Sequence, residues 1–198
     1  MSGTSSFAHS ASDSIVQFVA IGAVETSSIA QGLVTGDAMV KTAEVSLLQA
    51  STLTPGKYWV LIGGEVATVR ASMRRGIEVA AETLLDSLFI PQLHEQVLPA
   101  LSGTAAHRDD DALGVIETLT AASAIEAADA AAKAADVMLR DLRLSNGIGG
   151  KGVVYLTGDV GNVQAAVEAG RVLALKKSLL ARSVVIPRLH AQFKQRLF

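Results

Sequence analysis

A turn with four glycines around one lysine is the first place in this sequence where chemistry could happen: Ser145-Asn146-Gly147-Ile148-Gly149-Gly150-Lys151-Gly152. A phosphate-cradling loop of the P-loop kind needs a Ser or Thr after its lysine, and none follows Lys151. A dinucleotide fingerprint must open a helix, whereas this turn joins two strand-like runs. Two readings stay open. The glycines supply the positive φ angles of a hairpin, or they bring backbone amides close to something that binds or passes at an axis. His94 and His190 each follow Ile-Pro-x-Leu. A metal would want a partner three or four residues on or a carboxylate cluster, and neither place offers a matched set, so packing or an interface is expected and no metal. Glu25 and Glu117 could form acid–base machinery. Each, however, stands between a strand and a helix with no His or Lys echo nearby, which points to hydrogen bonds within the turn. Lys41 and Lys133 close helical stretches, where a cation complements the dipole, or they make a contact at an edge. With zero cysteines, thiolate catalysis, disulfides and cysteine-held metal are excluded. No nucleophile–base or acid–base set can be assembled, so an enzyme is not expected.

These residues come in pairs because the chain is a tandem duplication. Gly22–Val45 is echoed by Gly114–Val137: Glu25-Thr26 meets Glu117-Thr118, Asp37-Ala38 meets Asp129-Ala130, and Lys41 meets Lys133. Gly64-Glu65-Val66 answers Gly158-Asp159-Val160, and Ile90-Pro91-Gln92-Leu93-His94 answers Ile186-Pro187-Arg188-Leu189-His190. The offset grows from 92 to 94 to 96, so short insertions fall between elements, where loops tolerate them.

Within the first unit, Ile15–Val24 reads as a strand covered on both faces. Thr26, Ser27 and Ser28 offer N-cap oxygens to a helix ending near Thr42. Val45–Leu53 and Tyr58–Ile62 are strands about the turn Thr54-Pro55-Gly56-Lys57, with Pro at a favoured position. Gly63-Gly64 breaks the second of them before a helix up to Glu82. Leu84–Ile90 is the last strand, and Pro91 begins a short helix. The second unit repeats this order, with helices near Ala121–Ala134 and Val160–Leu175. The predicted class is α+β, two βαββαβ units of the split βαβ, ferredoxin-like kind, each with a terminal helix. The division is a loose tail over 1–17, domains over 18–101 and 112–198, and a polar linker over 102–111.

Bulk properties bound the rest. Hydrophobic residues make up 49% of the 198 against 18% charged, while aromatics are only 4%. The apolar surplus is therefore Ala, Val, Leu and Ile, which suits close packing and surface buried between subunits. Units of roughly 90 residues gain from covering one another. A net charge of −2 gives no reason to expect nucleic acid or an anionic membrane. The Ser-rich start lacks Lys and Arg, and no apolar run approaches a bilayer's thickness, so a soluble intracellular protein is expected.

At this point the units resemble the bacterial microcompartment shell domain. The likeness lies in ETxxxxxAIEAADAxxKAADV at 117–137, GIGGK at 147–151, GDVxxVxAAVEAG at 158–170 and VIPRLH at 185–190. Two fused copies resemble the tandem members, which form trimers mimicking the family's hexamer. The stretch SxxxPGKxxxLxGG at 51–64 is similar to those of propanediol-utilisation compartments. The resemblance implies a structural tile whose hairpin turns, Thr54-Pro55-Gly56 and Ile148-Gly149-Gly150-Lys151, line a pore for small polar metabolites. It implies tile-edge contacts by Lys41, Lys133 and Arg188, with Gln92 in the place of that arginine in the first copy. It implies other shell proteins as partners, and a place in a cytoplasmic shell. The tandem member of the propanediol-utilisation kind carries a cysteine after GIGGK that holds an iron–sulfur cluster at the pore; here Gly152 stands there, so no cofactor is expected. The competing reading is a metabolite-binding regulatory module, because fold alone does not choose function.

Overall fold

The computed structural model describes residues 18–106, 112–145 and 147–197. The tail expected over 1–17, the 107–111 part of the linker, Asn146 and Phe198 lie outside the described residues.

The first unit runs β1 (Ala20–Thr26), α1 (Ile29–Thr42), β2 (Ser46–Leu53), β3 (Lys57–Gly64), α2 (Val66–Ala80), a 3₁₀ turn (Ala81–Thr83), β4 (Leu84–Ile90) and α3 (Val97–Ser102). The second repeats it as β5 (Ala112–Thr118), α4 (Ala121–Ala134), β6 (Met138–Leu144), β7 (Gly152–Gly158), α5 (Val160–Lys176), β8 (Leu180–Ile186) and α6 (Ala191–Leu197). The sheets have orders β2-β3-β1-β4 and β6-β7-β5-β8, antiparallel throughout. Ser28 and Thr120 open α1 and α4, accepting hydrogen bonds from Gln31 N and Ser123 N at 3.2 Å each. This satisfies one otherwise orphaned donor in each first turn.

Some element ends differ from the sequence expectation. β3 continues through Gly63-Gly64, because both residues pair with Ile21 and Ala20 of β1. Helix α3 starts at Val97, not at Pro91. The segment between is held by side chains of the other unit, as described below.

Strand alternation divides the first sheet into two faces. Val24, Tyr58, Val60 and Ile62 turn toward Met39, Val69 and Met73 of α1 and α2. Ile21, Ala23, Trp59, Leu61 and Leu88 turn the other way, into an apolar cluster continuous with the core of the second unit. The two units therefore share one interior. A local size exchange separates otherwise equivalent packing. Tyr58 lies so close over Gly32 that a Cβ there would stand 2.4 Å from the Tyr58 Cβ. In the second unit Gly152 lies under Ala124, and a Cβ on Gly152 would stand 2.4 Å from the Ala124 Cβ. Bulk sits on the strand in one copy and on the helix in the other.

Candidate functional site

The two hairpin turns meet. Gly56 N donates to Leu53 O at 3.0 Å, which makes Pro55 the third residue of its turn, after a cis Thr54–Pro55 peptide. The β6–β7 turn is closed by Ser145 N donating to Lys151 O at 2.8 Å. Gly147, Gly149 and Gly150 take φ of 74°, 65° and 84°, a region where a side chain is strained. A Cβ on Gly150 would stand 3.0 Å from Pro55 Cδ and 3.1 Å from Thr54 O. The residues at 54–56 and 148–150 thus sit side by side at one end of the molecule.

Beside them runs the seam between the units, built on a cross-strand row. Ser51, Trp59, Glu25 and Asp86 are register partners across the first sheet and so share a face. The row meets the N-terminus of α4. Glu25 Oε2 accepts from Ala121 N at 2.8 Å and Ala122 N at 3.4 Å, while its Oε1 pairs with Lys57 Nζ at 2.8 Å. A fully buried carboxylate is thereby held by two helix N–H groups and one ammonium, with the positive end of the dipole adding attraction. Lys57 also donates to Leu119 O at 3.3 Å and Gly150 O at 3.1 Å, so one side chain ties both hairpins and both units. Asp86 accepts from Thr120 Oγ1 at 2.5 Å and from Lys177 Nζ at 2.9 Å.

Farther out, His94 N donates to Asp129 Oδ1 at 2.8 Å. Gln96 clamps the edge of β6, donating to Val137 O at 3.1 Å and accepting from Leu139 N at 2.8 Å. These contacts hold 91–96 out of a helix.

The residues singled out in the sequence fall as follows. Lys133 donates to Gln92 O and pairs with Asp129 at 2.6 Å, so its ammonium serves the seam. Lys41 pairs, among the described residues, only with its own Asp37 at 2.7 Å and stays 72% exposed. The Arg188 residue is exposed in the loop after β8. Lys151 turns back to Glu117 Oε1 at 2.6 Å, so its charge is already matched. His94 and His190 accept from Gln96 N and Gln192 N at 3.4 and 3.3 Å. Among the described residues no three His, Asp or Glu side chains are grouped to hold a metal. Glu25 is the surprise: besides Lys57 of its own unit, its partners are Ala121 and Ala122 of the other, and none belongs to its own turn. No sequence pattern marks it, since the contact carries Glu25 across to the N–H groups of Ala121 and Ala122 at the start of α4.

Lys177 and Glu126 carry the seam's clear titration effects. Burial would lower the Lys177 pKa, but hydrogen bonds and charge from Glu126 and Asp86 outweigh burial and hold it above the ordinary 10.5. Burial raises Glu126, with Asp86 adding to it against the pull of Lys177. A raised lysine contributes stability that is fully present below its unfolded value and lost as pH rises through the folded value. Urea midpoints of the wild type should therefore fall above about pH 10.5, beyond what Lys177→Met shows over the same range. Parallel curves for the two proteins would refute this role.

The position implied for a cluster-holding cysteine does not fit one. Gly152 is buried within its own unit, and a Cβ there meets Ala124 Cβ at 2.4 Å and Thr120 O at 2.9 Å. A thiol would have to displace α4, so no chemistry is assigned through an iron–sulfur group.

Two split βαβ units, fused and docked edge to helix with paired hairpins at one end, define a duplicated module made for lateral packing. The chain belongs to the bacterial microcompartment shell family: the BMC domain model matches residues 20–93 and again 112–189. It is 43% identical over 171 residues to the bacterial microcompartment shell protein PduT of Citrobacter freundii, covering 86% of this chain and 93% of that one. The carboxysome assembly protein CcmO of Synechococcus elongatus is 30% identical over 181 residues, 85% of this chain and 65% of the relative. A crystal structure of a microcompartment protein from Desulfitobacterium hafniense is 47% identical, with TM-score 0.79 over 89% of this chain and 98% of that one. The fused permuted shell protein of the RMM microcompartment shares the fold, with TM-score 0.57 at 22% identity. The role is structural, that of a shell protein. No helix among the described residues is long and apolar enough to cross a membrane.

Proposed function

We propose that three copies close into a pseudohexameric ring that tiles the facet of a microcompartment shell in the bacterial cytoplasm, with the paired hairpins around a central pore. The observation that carries this is the one-sided seam. The edge of the first unit is covered by α4, while among the described residues nothing covers the edge of the second unit or the helix face of the first. A head-to-tail contact of this kind generates a closed ring when the rotation returns to its start. Thr54, Pro55, Gly56, Ile148, Gly149 and Gly150 line the opening, with Lys151 at its margin beside Glu117. Glycine amides there present partial positive charge, which suits small polar metabolites. Lys41 and Arg188 lie at the rim, where other shell proteins pack, and Lys133, its ammonium engaged by Gln92 and Asp129 in the seam, adds only its exposed stem there. Light scattering should return roughly three times the 20.5 kDa chain mass, and negative-stain images should show flat sheets. A monomer at micromolar concentration would overturn the ring. Arg188→Ala should leave the trimer whole and abolish sheets; ordered sheets from that variant would remove Arg188 from the edge.

A further inference from the structure

The seam inside the chain is also a template for one that is missing. Row for row, the second sheet offers Arg143, Val153, Glu117 and Arg182 where the first offers Ser51, Trp59, Glu25 and Asp86. The glutamate is retained; the acid at its flank has become an arginine. Lys151 holds Glu117 as Lys57 holds Glu25, and Gln192 repeats the local contact of Gln96. Among the described residues of the single chain this second edge covers nothing.

The surface it would cover is open in matching ways. Helix α4 has its first two N–H groups satisfied by Glu25, whereas Ile29 N and Ala30 N of α1 meet no acceptor among the described residues. Ala121 and Ile125 are fully buried, while their counterparts Ile29 and Leu33 are 40% and 55% exposed. The corner facing Asp86 carries Lys177 at the end of α5. Ser27 N and Leu119 N donate to Thr83 O and Leu179 O, which sets Glu82 of the shorter 3₁₀ turn one residue past the place of Lys177. Arg182 and Glu82 are both exposed, and neither forms an ion pair among the described residues; Glu117, the register partner of Arg182, is held by Lys151.

We propose that the second unit's edge docks on α1 of a second copy of this chain, with Glu117 capping α1 at Ile29 and Ala30 and Arg182 paired to Glu82. The seam between copies thus runs with the charges of its flanking pair reversed relative to the seam within a copy, where the acid is on the strand and the lysine at the helix end. Reversal keeps the two seams from exchanging partners. The first unit's edge, with Asp86, meets like charge at Glu82 if it approaches α1 of another chain. Such opposition is how interfaces reject wrong partners. The proposal rests on the ring reading and adds to it which residues close the ring.

The test measures dissociation of the full chain by mass photometry across a dilution series. Arg182→Glu and Glu82→Arg should each raise the concentration at which monomer appears by at least about tenfold, and R182E/E82R together should return it to the wild-type range. Both side chains are exposed, so neither substitution threatens the fold of a single chain. Glu117→Gln should speed amide exchange at Ile29 and Ala30 within the remaining trimer. A wild-type chain that is itself monomeric would overturn the ring and this seam together. A wild-type trimer that tolerates Arg182→Glu, or is not rescued by the double change, would overturn the seam alone.

Discussion

Glu25→Ala should lower the free energy of unfolding by about 3–5 kcal/mol, read as a drop in urea midpoint at unchanged slope. The size follows from what is left behind. Two N–H groups of α4 lose their acceptor inside the shared interior, and Lys57 keeps its charge with only the Leu119 and Gly150 carbonyls to hold it. Removing one partner of a buried pair is costly because the survivor remains desolvated. Glu117→Ala is the internal control. Its pair with Lys151 is 44% and 31% exposed in a single chain, where such pairs contribute little. Measured on monomer, the two substitutions should differ by several fold in effect. A loss below about 1 kcal/mol for Glu25→Ala would mean water reaches the seam and the units are not one cooperative body.

Trp59→Ala should cost a comparable amount, about 3–5 kcal/mol. Trp59 is fully buried in the cluster that both units share, next to Glu25 in the cross-strand row. A cavity of indole size there loses contacts that no neighbouring strand can move to replace. Circular dichroism during urea unfolding is the readout, since this is the chain's single tryptophan. In the wild type, its emission should shift to the red in step with the loss of helix. Separate transitions for the two signals would show the seam opening before the units unfold.

Much of the architecture was legible because a duplicated sequence reads itself twice. Leu84–Ile90 and Ala121–Ala134 match the elements observed, and Ser28 caps as its position in the sequence suggests. What could not be read depends on partners far along the chain. Pro91 suggested a helix start, yet Gln92 and His94 are drawn to Lys133 and Asp129, and the helix waits until Val97. Gly63-Gly64 suggested a break, but the β1 ladder carries the strand through it. The pairing of Glu25 with α4 leaves no periodic trace, because a single carboxylate reaching across a domain boundary has none to leave. Lys133 and Lys41 share one sequence context and have different surroundings, since only one of the two helices is covered within the chain.

The exchange of bulk between Tyr58 over Gly32 and Gly152 under Ala124 bears on how the two copies can change from here. Tandem repeats in one gene are open to recombination, which tends to make them identical again. A crossover that joined the helix of the second copy to the strand of the first would set Ala124 against Tyr58, an overfilled joint. The reciprocal product would set Gly32 against Gly152 and leave a void. Both products would fold poorly, so the halves are ratcheted apart: exchange can pass through selection only when helix and strand travel together. Duplication gave this chain two equivalent tiles, and a single pair of size-matched contacts is enough to make their divergence hard to reverse.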